Sequence, residues 1–261
     1  MMLASAVMGI GVEVRGRVGI IELQDPPHNF LTVDQVGAVA DALDRFDADA
    51  EVRAAVLAAD GRSFCAGARF AGNGGGEAVG SGGTNDLYSQ AARLFAAETP
   101  FVAAVHGPAI GGGLGFALAA TMRVTCPEAR FSANFVKLGI HQGFALSVTL
   151  PELIGPSKAA YVLLTGRRFK GDEATELGLA DVCVPQDEVR DKAFQIADDI
   201  ASGAPLAIAA INRTLRAGLA DRVREATRHE ASEQAKLFAT EDAREGMRAV
   251  GERREGNFVG R

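Results

Sequence analysis

Apolar residues along the chain follow two alternating rhythms. Short continuous runs at Arg17 to Leu23 (RVGIIEL), Val52 to Ala59 (VRAAVLAA) and Phe101 to His106 (FVAAVH) have the length and composition of buried strands. The turn Asp25-Pro26-Pro27 closes the first run, and Pro100 opens the third. Between the first two runs, Val33, Val36, Val39, Ala40, Leu43 and Phe46 recur at helical spacing, and Thr32 with Gln35 has capping-box spacing. A further helix is predicted from about Gly112 to Met122, followed by a short strand at Arg123 to Thr125. Strands that are nearly continuous in apolar residues and alternate with helices predict an α/β fold with a parallel sheet covered on both faces. After about residue 185 the pattern becomes helical, with candidate helices over 187–202, 206–218, 221–238 and 241–254. The last opens on Glu241 and Asp242 and closes on Arg248, Arg253 and Arg254, charges that suit a helix dipole.

Composition narrows the class. The 261 residues, 48% of them hydrophobic, bury one sizeable core with at most a small appendage. A net charge of -6 argues against a nucleic-acid binder, although an acidic chain still binds a phosphorylated small molecule through a few cations and backbone amides. Cys65, Cys126 and Cys183 are odd in number and widely spaced, so they predict neither a disulfide framework nor a metal site. The N-terminal stretch lacks a basic region and a long apolar core, no run reaches a membrane-spanning length, and a cytoplasmic location is expected. Half of the fourteen residues from Ala71 to Thr84 (AGNGGGEAVGSGGT) are glycine, which predicts a flexible loop near a site.

The candidate chemistry lies in two small-residue turns. His106 to Ala120 (HGPAIGGGLGFALAA) hands an apolar strand over to an apolar helix through Gly111-Gly112-Gly113. Backbone N–H groups at a helix start have no intrahelical acceptor, and glycine lets a ligand atom approach them. The spacing matches neither a phosphate-binding P-loop nor a dinucleotide fingerprint, which disfavours a Rossmann-type dehydrogenase. Arg62 to Phe70 (RSFCAGARF) places Ala66-Gly67-Ala68 in a second turn after the preceding strand. Two such turns at the carboxyl edge of neighbouring parallel strands bring two amides together, as a thioester oxygen requires when it becomes an enolate.

Six segments in order, PHNFL at 27–31, GRSFCAGA at 61–68, PFVAAVHGPAIGGG at 100–113, FSANFVKLG at 131–139, LTGRRFKGDEATELG at 164–178 and the tail from Leu237 to Arg261, make the sequence resemble the crotonase superfamily of enoyl-CoA hydratase/isomerase proteins. The resemblance implies a crotonase-like spiral of ββα units over residues 1–200 and a C-terminal helical trimerisation or lid region over 201–261. It also implies an acyl-CoA thioester as ligand, with coenzyme A as part of the substrate and no separate cofactor or metal, and assembly as a homotrimer or hexamer. The oxyanion hole would be the amides of Ala68 and Gly112. Ala66, Phe70 and Gly111 would line the ligand site, Phe116, Phe135 and Phe144 would wall the acyl pocket, and Phe258 would lie close to the CoA. Arg69 stands where many relatives carry Asp.

The catalytic pattern departs from the family. The two glutamates that hydratases use map to Gly115 and Phe135, and a third position, an Asp in some isomerases and dehalogenases, maps to Gly143. None of these residues moves a proton, and a positioned acid or base is typically worth about 10²–10⁴-fold in rate. His141, in the loop expected to pass the thioester, is the candidate acid or base, with Gln142 and Tyr88 as further polar groups that could reach substrate. His28 is a possible CoA contact, His106 is expected to be structural, and His229 to be exposed. Two functions fit: an acyl-CoA lyase or isomerase with non-standard acid–base groups, or an acyl-CoA binding protein that has lost hydratase chemistry.

Overall fold

Arg15 at the end of one strand pairs with Val18 at the start of the next, so the chain enters its main sheet through an antiparallel hairpin. A computed structural model describes residues 9–68 and 81–261. Its main sheet runs in the order β1 (Ile10–Arg15), β2 (Val18–Leu23), β3 (Ala54–Ala59), β4 (Phe101–Val105), β6 (Met122–Thr125) and β9 (Val182–Cys183). Every pairing from β2 onwards is parallel. All residues of β3 and β4 are buried, as expected of strands covered on both faces. A smaller sheet joins β5 (Ala109–Ile110), β7 (Arg130–Ser132) and β8 (Phe169–Lys170). This succession of parallel pairs joined by crossovers fits the spiral of ββα units that the resemblance implies.

The helix α1 (Val33–Asp47) starts where predicted, with the Thr32 hydroxyl accepting the Gln35 N–H at 3.1 Å. Only half of the capping box forms, because the buried Gln35 Oε1 has no partner among the described residues. α2 (Ser81–Ala96) takes in the last four residues of the predicted glycine-rich loop. α3 (Gly112–Leu118) stops short of the predicted Met122, which is needed in β6 opposite Val102.

For the three helices in the middle of the chain, α4 (Leu146–Ile154), α5 (Pro156–Thr165) and α6 (Gly171–Leu177), the sequence signals only a surface helix starting at Glu152 of LPELIG, which the structure places inside α4. Their shortness and the interruption at Gly155-Pro156 hide the period.

The C-terminal helices α7 (Val189–Ala201), α8 (Pro205–Leu215), α9 (Leu219–Phe238) and α10 (Glu241–Glu252) match their predicted spans within a few residues. Val189, Ala193, Ala197 and Ala201 form one buried stripe of α7, which packs on β3 and β4. α9 lies along α2 and α4, and α10 covers the 3-10 turn Asn134–Leu138. These contacts place the C-terminal helices over the edge of the sheet where the two small-residue turns meet.

Candidate active site

The segments around Pro27 and Gly61 are stitched together by one buried side chain. Asn29 donates from Nδ2 to the carbonyls of Asp60 (2.6 Å) and Ser63 (2.8 Å) and accepts the Asp25 N–H on Oδ1 (2.9 Å). Backbone bonds from Ala66 N to His28 O and from Leu31 N to Gly67 O, each 3.0 Å, complete the join. The turn is then fastened to the glycine run. Cys65 N donates to Pro108 O and Ile110 N donates to Cys65 O, both at 3.0 Å, while Gly111 N donates to Ser132 O at 2.7 Å.

This contact answers why the backbone must be bare. A Cβ on Gly113 would stand 2.2 Å from the Cys65 carbonyl oxygen. A Cβ on Gly67, which has φ +84°, would stand 2.6 Å from the Ile110 oxygen and 3.7 Å from the Gly112 nitrogen. The two turns are therefore in direct backbone contact. Gly112 is the first residue of α3, so its N–H has no acceptor within the helix. Leu31 bridges to Ala68 through the Gly67 carbonyl, which directs the Ala68 N–H to the opposite side of the strand.

Both residues line one cavity of about 240 Å³. Its apolar wall includes Leu31, Ile110, Phe135, Leu138 and Phe144, and its polar side chains among the described residues are Tyr88, Asn134, Arg168 and Gln234. Oriented amides in such surroundings act on a developing oxyanion at low dielectric and with no reorganisation.

Residues 13–261 match the enoyl-CoA hydratase/isomerase family profile. The chain belongs to this family. An enoyl-CoA hydratase of Mycobacterium tuberculosis is 33% identical over 258 residues, covering 96% of each chain. A carnitinyl-CoA dehydratase of Proteus mirabilis is 34% identical over 256 residues, covering 95% of this chain and 97% of its own. The crystal structure of an enoyl-CoA hydratase/isomerase from Pseudoalteromonas atlantica T6c superposes with a TM-score of 0.84 at 29% identity, covering 97% of this chain and all of that one. The fold is the crotonase fold.

Within this crotonase frame the predicted site residues separate into groups. Ala66, Ala68, Gly111, Gly112, Phe135 and Phe144 line the cavity together. Phe116 is a fully buried side chain between Phe64 and Phe144, with ring centroids 6.2 and 6.0 Å away, and is not among the cavity's lining residues. Phe258 is 41% exposed on the C-terminal tail, which is tied to Asp242 through Val259 N and Gly260 N. Phe70, Arg69 and most of the glycine-rich loop lie outside the described residues.

His141 does not line the cavity. Its Nδ1 lies 2.8 Å from Gln142 O, and its ring stacks edge-on against His229 with centroids 5.8 Å apart. What His141 presents towards the cavity wall is its carbonyl, which accepts Gln234 Nε2 at 2.9 Å. Gln142 donates from Nε2 to Ser147 Oγ at 3.3 Å. His28 contacts Ser63 Oγ and the Phe30 ring, and His106 Nε2 lies 3.0 Å from Gly61 O, so both hold turns in place.

The positions to which family carboxylates map are filled. A Cβ on Gly115 would stand 2.7 Å from both Cβ and O of Phe144. A Cβ on Gly143 would stand 1.8 Å from the Tyr88 hydroxyl. Tyr88 donates to Gln234 Oε1 at 2.9 Å, and burial, reinforced by the negative charge of Glu230, pushes its phenol above the ordinary range.

Glu230 is the buried carboxylate nearest this group. It accepts Ala145 N (2.9 Å), Ser147 N (3.0 Å) and the Ser147 hydroxyl, capping α4 behind the consecutive left-handed residues Phe144 and Ala145. Burial pushes its carboxyl above the ordinary value, against the opposing pull of those hydrogen bonds. Arg168, within the 164–178 segment, Phe238 and Val250, within the C-terminal tail, and Gln234 were not assigned to the site, because only tertiary packing brings them to the cavity.

Proposed function

We propose that this chain binds an acyl-CoA thioester and acts on it as an enzyme of the hydratase/lyase kind, with the amides of Ala68 and Gly112 stabilising the enolate oxygen. The observation that carries this reading is the presence of both residues on one largely apolar cavity, with their turns in backbone contact. The names of the relatives, an enoyl-CoA hydratase and a carnitinyl-CoA dehydratase, support the same reaction class. As negative charge grows on the thioester oxygen, both N–H groups strengthen their hydrogen bonds to it. Leu31, Phe135 and Phe144 keep bulk water away from that oxygen.

Proton movement follows a non-standard route. No carboxylate among the described residues lines the cavity, and Glu230 is committed to capping α4. With Gln234 engaged by Tyr88 and the His141 carbonyl, Asn134 is left to orient a water or a substrate oxygen, and the proton travels through water or a group of the substrate itself.

The closed space at Gly115 and Gly143 favours a second reading, an acyl-CoA binding protein without turnover. A panel of enoyl-, hydroxyacyl- and dicarboxyl-CoA thioesters separates the two. Turnover of any member supports the enzyme, binding of all without turnover supports the binder, and binding of none contradicts both. The exposed apolar side chains Leu164, Leu206 and Leu215 support self-association, which we expect to give a trimer or hexamer by light scattering.

A further inference from the structure

The smaller sheet carries a cation to the edge of the acyl cavity. Ile110 of β5 pairs with Ser132 of β7, and the β7–β8 register, Phe131 with Phe169, places Arg168 beside Ser132 one residue further on. With strands about 4.8 Å apart, the Arg168 backbone lies roughly 10 Å from Ile110, the residue two before the Gly112 amide. Residues opposite one another in register project to the same face. Ile110 and Arg168 accordingly both line the cavity.

Arg168 is the one charged side chain among the described cavity residues. Its neighbours are already committed: Arg167 pairs with Glu173 and lies over the Phe169 ring at 4.9 Å, and Glu173 also accepts Lys170 N. Arg168 has no hydrogen bond or ion pair among the described residues. The remaining polar side chains at the cavity are neutral, and Tyr88 and Gln234 satisfy one another. Arg168 also borders an outer recess shared with Arg130, Arg167, Lys170, Asp172 and Glu173, so its head group stays hydrated until a ligand arrives.

The direction of the ligand follows from the sheet. Cys65 bridges to Ala109 on one side of β5, while β7 and β8 lie on the other. A thioester oxygen held between Ala68 and Gly112 therefore has the Ala66–Ala68 turn on one side and Arg168 on the opposite side. We infer that Arg168 recognises a carboxylate on the acyl portion of the thioester, making the preferred substrate a dicarboxylic acyl-CoA. This rests on the acyl-CoA reading above. A planar guanidinium forms paired, charge-assisted hydrogen bonds to a carboxylate, and an aliphatic acyl end offers it nothing.

The experiment is calorimetric binding to the full-length protein of matched pairs: succinyl- and butyryl-CoA, glutaryl- and valeryl-CoA, adipyl- and hexanoyl-CoA. In at least one pair the carboxylated ligand is expected to bind about 10–100-fold tighter, the range of a charge-assisted hydrogen bond. R168M is expected to erase that preference while leaving the methyl-terminated ligand's affinity unchanged, and R168K to restore part of it. Equal affinity within every pair in the wild-type protein overturns the role of Arg168 and leaves the acyl-CoA reading standing. Equal weakening of both members in R168M, abolished when the same acyl groups are carried on pantetheine without phosphates, assigns Arg168 to a CoA phosphate and also overturns it. Failure of every thioester to bind the wild-type protein overturns both readings.

Discussion

The Cβ that Gly67 lacks would lie 2.6 Å from the carbonyl oxygen of Ile110. These two residues hold the turns that carry the Ala68 and Gly112 amides, so their separation sets the width of the proposed oxyanion site. In Gly67→Ala the left-handed backbone becomes strained and the carbonyl must retreat. The expected stability loss is about 1–3 kcal/mol. Turnover on whichever thioester is a substrate should fall about 10²–10³-fold, the loss expected for one oxyanion donor. Chemical denaturation and steady-state kinetics on the same preparation check both, and unchanged kcat would count against the amide pair.

Tyr88 should remain a phenol well into alkaline solution. The protein has two tyrosines, so Tyr161→Phe leaves Tyr88 as the only one. Its burial raises the phenol above the ordinary value of 10.0. Absorbance at about 295 nm should show little phenolate at pH 10, where a free tyrosine is about half ionised. A midpoint near the free value would mean that the hydroxyl is not enclosed by Gln234 and Phe144.

Glu230 predicts a pH-dependent stability of definite sign. Its folded value is raised above 4.5, so between the two values the native state binds more protons than the unfolded chain. Its titration therefore contributes stability that is present below the unfolded value and is lost as pH rises through the folded value. Glu230→Gln removes that titration along with one hydrogen-bond acceptor for the α4 cap. Wild-type protein should exceed the variant in urea-unfolding free energy by the widest margin below about pH 4.5, with the margin narrowing as pH rises above it. A margin that widens with pH would contradict the raised value.

Replacing the His141 ring should change little chemistry. Gln234 is held by the His141 carbonyl, which any residue supplies, and the ring packs against His229. His141→Ala is expected to keep turnover within about threefold, because no proton transfer worth 10²–10⁴-fold is lost. Gln234→Leu, which strips Tyr88 of its acceptor and the cavity of an amide, should reduce kcat far more. The opposite order would return His141 to the role that its sequence position suggests.

The two small-residue turns were legible in the sequence because each is a local feature. Glycine at 67 and at 111–113 announces close backbone contact, and buried strands announce the edge where the turns meet. β1 was missed because half of its residues face solvent and Val14 is 50% exposed, so no buried run marks it. α5 and α6 were missed, and α4 was signalled only by a helix start at Glu152, because glycine and proline divide them into pieces too short to show a helical period.

Side-chain direction was the least legible property. His141 lies in the expected loop, yet its ring turns outward while its carbonyl faces the cavity wall. Phe116 follows the glycine run and still packs one layer behind Phe144. Gln234 and Arg168 reach the cavity through tertiary packing and strand register, neither of which leaves a pattern in neighbouring residues.

The most direct measurement is a crystal structure of the protein with a slowly reacting acyl-CoA thioester. The thioester oxygen should lie within about 3.2 Å of the backbone nitrogens of both Ala68 and Gly112, with its acyl chain running between Phe135 and Phe144. An oxygen that touches neither nitrogen, in a ligand bound at full occupancy, would contradict the account.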